Sequence, residues 1–225
     1  MSDRTSTVGS GQRGEPDRGL ARVAGCFPIL AFVVLAAAAL YWFELRDPWA
    51  DEGVAVTKPA TGLAKPSPTI PQPKNGGMRE ISYDLQREVI DGAGVTRPTS
   101  VECELTEIPL SPQDFGCTVT YDGIDVPYTI SITDVDTALG LAVFEWDMET
   151  DKAVLTREGA FAGFWRDQIP TGASDLRCDD TIPEKELVPL GRTGFYCYST
   201  TERGDHHRTE VAIEEHGLIF EYADD

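Results

Sequence analysis

Apolar positions along this chain fall into three distinct patterns. The first is a run, Val23 to Phe43 (VAGCFPILAFVVLAAAALYWF), of 21 residues without a charge. At a helical rise of about 1.5 Å per residue such a run covers roughly 31 Å, the thickness of a bilayer hydrocarbon core, so it reads as a single transmembrane helix. The second is a 3.6-residue period, with Met78, Ile81, Leu85 and Val89 on one face and, further on, Phe161, Phe164, Trp165 and Ile169 on another. The third is strict alternation. Phe115, Cys117, Val119 and Tyr121 are followed across the turn signal Asp122-Gly123 by Val126, Tyr128, Ile130 and Ile132, the pattern of a hairpin with one buried face.

These patterns occur twice. Val101-Glu102-Cys103-Glu104 aligns with Leu176-Arg177-Cys178-Asp179, and Phe115-Gly116-Cys117-Thr118 with Phe195-Tyr196-Cys197-Tyr198. The second copy turns around Arg203-Gly204-Asp205 into the alternating set Thr209, Val211, Ile213, and both copies close on a glycine and an aromatic strand. The expected fold class is therefore α+β: two tandem repeats, each one helix packed on a roughly four-stranded antiparallel sheet, after a single N-terminal transmembrane helix. The expected organisation is a cytoplasmic tail at 1–22, the transmembrane helix at 23–43, a linker at 44–77, and repeats at 78–150 and 151–225. The linker holds Pro48, Pro59, Pro66, Pro68, Pro71 and Pro73 and no apolar period, the composition of a semi-extended spacer.

Arg18 and Arg22 precede the apolar run, whereas Glu44, Asp47, Asp51 and Glu52 follow it with only Arg46 among them. The positive-inside rule then places the N-terminus in the cytoplasm and the repeats outside, anchored in the plasma membrane. Two other readings of this segment exist. Val23-Ala24-Gly25-Cys26 spells a lipobox, although its apolar residues come after the cysteine and not before it, and Ala36-Ala37-Ala38 offers a signal-peptidase site inside a run that continues apolar past it.

The four cysteines beyond the apolar run, Cys103, Cys117, Cys178 and Cys197, suit an oxidising compartment. Units of about 75 residues bury a small core, so disulfides matter at this size. Three connectivities exist for four cysteines; pairing within each copy, Cys103 with Cys117 and Cys178 with Cys197, is the one that repeats, each contributing about 3 kcal/mol by chain-entropy reasoning.

The helix, the V-x-C-x after it, the F-G-C-T strand start and the alternating strand that follows resemble a small domain-of-unknown-function family of high-GC Gram-positive bacterial envelope proteins, often found behind one membrane anchor. Where that family carries proline after its first cysteine, this chain has Glu104 and Asp179. The resemblance implies an envelope location and a fold, and no activity.

Composition narrows the function. With 19 Lys plus Arg against 38 Asp plus Glu the net charge is −19, which repels nucleic acid and other polyanions. Signatures of hydrolases, P-loops and dinucleotide folds are missing, so the reading is not an enzyme, and no cofactor or metal is expected. Asp147, Glu149, Asp151 and Glu158 imitate the spacing of a calcium loop, but Lys152 stands where its glycine belongs. Arg203-Gly204-Asp205 and His206-His207 fit a solvated turn. Tyr196 and Tyr198, opposite Phe195 and Cys197, together with Tyr121 at a strand end, are the candidate interaction surface. The expected function is a membrane-anchored extracytoplasmic binding or sensing module for an envelope protein or small ligand. The alternatives are a structural component acting through its transmembrane helix and an envelope enzyme.

Overall fold

The structure, a computed structural model, describes residues 34, 35, 49, 51–74, 76–138 and 141–223. Helix α1 (Met78–Ala93) buries Ile81, Leu85, Val89, Ile90 and Ala93, one stripe of a 3.6-residue period. It stops at Gly94, which adopts φ 71° and donates its N–H to Ile90 O at 3.0 Å. Strands β2 (Thr99–Cys103), β3 (Gln113–Tyr121), β4 (Ile124–Ala138) and β5 (Leu141–Glu149) then run as an antiparallel meander in that spatial order. The alternating residues Phe115, Cys117, Val119, Tyr121, Val126, Tyr128, Ile130 and Ile132 all face α1 and form the first core with it.

Strand β6 (Lys152–Thr156) leads into α2 (Arg157–Gln168) and a short 3-10 turn, Ile169–Thr171. After them come β7 (Ser174–Cys178), β8 (Lys185–Pro189), β9 (Gly191–Thr200), β10 (His206–Glu214) and β11 (Gly217–Tyr222). β7, β9, β10 and β11 form a sheet whose outer edge is extended by β1 (Val54–Ala55), while β6 pairs with β8 as a separate two-stranded ladder. The second core gathers Leu155, Ala160, Phe164, Leu176, Ile182, Val211 and Ile213. Both cores belong to one compact unit, residues 48–225.

The fold class differs from the α+β pair of equal repeats behind a transmembrane helix. The described residues are mostly β-sheet, with 45% in strands and 20% in helices. Two features produce the difference. The stretch 51–66, with the composition of a spacer, supplies β1 to the second sheet, and the insertion between β7 and β9 supplies β8, so one half holds a four-stranded sheet and the other a five-stranded sheet plus a ladder. In α2 only Phe164 of the expected apolar face is fully buried, alongside the small residues Ala160 and Ala162, and Ile169 is 39% exposed. The 23–43 run, Cys26 and Ala36-Ala37-Ala38 lie outside the described residues apart from Val34 and Leu35. Among the described residues no helix is long and apolar enough to cross a membrane.

Both disulfides cross adjacent antiparallel strands at directly opposed positions: Cys103 to Cys117 between β2 and β3, and Cys178 to Cys197 between β7 and β9. Such bonds are consistent with an extracellular or secreted domain.

The halves meet end to end. Thr156 caps α2 by accepting the Gly159 N–H at 2.9 Å, and the same buried hydroxyl donates to Ala93 O, in the last turn of α1, at 2.8 Å. The helix ends are so close that a Cβ on Gly159 would lie 1.8 Å from Ala93 O, and one on Gly94 would lie 2.8 Å from the Gly159 Cα. Replacing Thr156 by Val therefore leaves a buried carbonyl and a buried N–H without this partner, and costs about 1–3 kcal/mol in urea unfolding, whereas Thr156→Ser retains most of the stability. Gly159→Ala is the more damaging change, because its methyl group meets backbone that cannot rotate away.

Candidate functional site

Three of the residues expected at an interaction surface were tyrosines, and the structure separates them. Tyr121 is fully buried and donates its hydroxyl to Val95 O at 2.7 Å, beside the helix junction; burial holds its phenol far above the usual range. Tyr198 is also buried. Its hydroxyl donates to Asp179 Oδ1 at 3.1 Å and its ring packs 4.8 Å from that of Trp49, so burial first, and Asp179 second, push its pKa up to about 12. Neither presents a surface. The alternation rule fails at Tyr198 because, opposite the face that enters the second core, its ring packs against that of Trp49. Tyr196 remains half-exposed under the Arg208 guanidinium, 4.7 Å from its ring centre.

The other candidates are also dispersed. Asp147 and Glu149 lie on β5, Asp151 in the following turn and Glu158 in the first turn of α2, where it pairs with Arg97. Among the described residues no group of three or more His, Cys, Asp and Glu is placed to hold a metal ion. Arg203-Gly204-Asp205 forms the exposed β9–β10 turn, closed by the Gly204 N–H to Thr201 O at 2.9 Å. His206 contacts Thr200 Oγ1, and His207 meets the Tyr222 ring edge-on.

A cleft of about 510 Å³ opens where the end of α1, the middle of α2, the β10–β11 hairpin and residues 63–66 converge. Gly163 eases the convergence: a Cβ there would lie 2.7 Å from Leu218 Cδ2 and 3.1 Å from the Phe220 ring, so a methyl group would push these side chains aside. The floor is apolar, from Leu218 and Phe220, and the charged lining comprises Lys65, Asp91, Arg166, Asp167 and His216. A second hollow of about 240 Å³ lies under residues 57–61 and shares Pro66, Gly94 and Arg166 with the first. Arg166 thus stands in the wall between the two.

Charge is graded along the cleft. Near α1, the carboxyls of Glu88, Asp91 and Glu215 interact unfavourably: burial raises Glu88 to about 7, with the Glu215 and Asp91 charges adding to the rise and His216 and Arg87 opposing it. Burial also raises Asp91, against Arg87 and Lys65. Toward α2, burial lowers the pKa of Arg166, whose one hydrogen bond is a long 3.5 Å contact with Gly94 O. The arrangement offers a half-buried cation beside an apolar floor, with Asp91 in the lining and Glu88 behind it, outside the lining. Its elements suit ligand binding. The sequence carried one trace of it, a lone arginine in the aromatic stretch Phe161 to Trp165-Arg166; Lys65 was hidden in the apparent spacer.

Because the folded state raises Glu88, its protonated form favours folding. That contribution is complete below pH 4.5 and is lost as the pH rises through about 7. Urea midpoints measured from pH 5 to pH 8 should therefore fall less steeply for Glu88→Gln than for the parent, with the variant the more stable at pH 8. Parallel slopes would show that Glu88 titrates normally.

No family model, no curated protein and no solved structure matches this chain.

Proposed function

We propose that this chain is a non-catalytic, extracytoplasmic binding or sensing module whose small ligand enters the cleft between α1, α2 and the β10–β11 hairpin. The observation that carries the reading is the cleft itself, built from four separate stretches of chain around a half-buried arginine. The disulfides support a location outside the cytoplasm, and the 21 uncharged residues at 23–43, with arginines before them and acids after, support attachment to the outer side of the membrane. The resemblance of the cysteine-bearing pattern to envelope proteins of high-GC Gram-positive bacteria agrees with that location. A net charge of −19 leaves small molecules and proteins as partners and disfavours nucleic acid.

One feature suits sensing. Residues 57–66, which line both hollows, follow β1 inside the compact unit and come, in sequence, between the 23–43 run and α1. The bonds that fasten this stretch lie at its ends: β1 pairs with β7, the Val56 N–H donates to Leu176 O at 2.7 Å, Arg177 donates to Glu52 O at 2.6 Å and to Gly53 O at 3.3 Å, and Ser67 and Thr96 exchange hydrogen bonds. Segments fastened at their ends open at lower free energy than core strands. The test is a screen of chemically varied small molecules against the full-length oxidised chain by amide chemical shifts. At least one compound should give saturable shifts confined to residues 63–66, Arg166 and 216–220; a screen in which saturable shifts occur only elsewhere contradicts the assignment of the site.

A further inference from the structure

The other partly buried arginines of the described residues each have a carboxylate, a carbonyl pair or a ring against the guanidinium. Arg157 pairs with Glu184 at 2.8 Å, Arg192 with Glu221 at 2.8 Å and with Glu210 at 3.6 Å, and Arg97 with Glu158. Arg177 fastens the carbonyls of Glu52 and Gly53, and Arg208 stacks on Tyr196. Arg166 has no carboxylate within ion-pair distance among the described residues, in a chain with twice as many acids as bases. Its charge is met only by the C-terminal carbonyl end of α1, through the 3.5 Å contact with Gly94 O. Taking a guanidinium partly out of water without a counter-ion is unfavourable, and the hollows on its two sides have room for an anion.

Resting on the reading of the cleft as a ligand site, we propose that Arg166 anchors the carboxylate of a small monoanionic ligand whose apolar body lies on Leu218 and Phe220. The planar fork of an arginine matches a carboxylate in a two-point hydrogen bond, which an ammonium does not offer. The lining also sets the charge. The two cations of the lining, Arg166 and Lys65, are matched in number by Asp91 and Asp167, so a dianion such as phosphate would feel twice the repulsion from these carboxylates that a monoanion does. The volume of about 510 Å³ falls in the range of small-molecule sites.

Phenylacetate, its neutral isostere phenylacetamide, phenyl phosphate and benzylamine serve as probes, titrated into the full-length oxidised chain in lipid nanodiscs and followed by amide shifts. Phenylacetate should bind at least tenfold tighter than phenylacetamide, with an affinity that falls as salt is raised. Arg166→Gln should erase the difference between the two probes, and Arg166→Lys should keep part of it. The comparison of acid with amide in the parent protein does not depend on either variant folding. Equal affinity of acid and amide, or tighter binding of phenyl phosphate, overturns the carboxylate assignment while leaving the cleft a binding site. Absence of saturable shifts at the cleft from every probe overturns both readings together.

Discussion

A single hydroxyl stands where the two halves of this fold touch. Thr156 closes the first turn of α2 and, with the same oxygen, ties down a carbonyl at the end of α1. The geometry is electrostatically favourable as well as economical, since the partly negative C-terminal end of one helix faces the partly positive N-terminal end of the other. Gly94 and Gly159 make the approach sterically feasible, and Tyr121 adds a hydrogen bond to Val95 O at the same place. The exposed Arg97–Glu158 pair nearby contributes little by comparison, because water screens it. Everything that defines the cleft is referred to this junction: Asp91 lies in the last turn of α1, and Arg166 reaches back from α2 to Gly94 O.

Much of the local structure could be read directly from residue pattern. The alternation in β3 and β4 predicted which side chains face the core, the stripe of α1 predicted its buried face, and the repeated cysteine pairs agree with the disulfides seen in the structure. These features depend on neighbours within about 20 residues, where periodicity and turn chemistry carry the information. The overall class did not follow from them, because the strand content includes pieces without a pattern of their own. β1 is two residues long, and Val54–Ala55 becomes a strand only because β7 offers an open edge beside it. β8 is recruited by β6 in the same manner.

The candidate site was less legible, for a physical reason. Period-two reasoning assumes that one face of a sheet meets water, and at β9 the Trp49 ring packs on Tyr198 from that side. Tyr121 lies on the core face that the β3 alternation marks, so its place in that period, and not its position at a strand end, decides its burial; Val95 O satisfies its hydroxyl. Lys65, Asp91, Arg166 and His216 come from four segments far apart in sequence, so their meeting is a property of the helix junction and of the glycine contact between Gly163 and β11. Residues that would be assigned separately to solvent, as charges on a spacer, two helices and a hairpin turn, together line one hollow.

The central claim is that the junction makes residues 48–225 a single cooperative body in which the cleft is a fixed feature. Native-state hydrogen exchange across both sheets tests it most directly, by comparing the slowest amides of β3 and β4 with those of β9 and β10. The account predicts one common opening free energy for the two sets, and an equal reduction in both when Thr156 is replaced by Val. Two distinct free energies, with the Thr156 change lowering only the second set, would show that the halves open independently, and the cleft between α1 and α2 would then lack the rigid support on which its assignment depends.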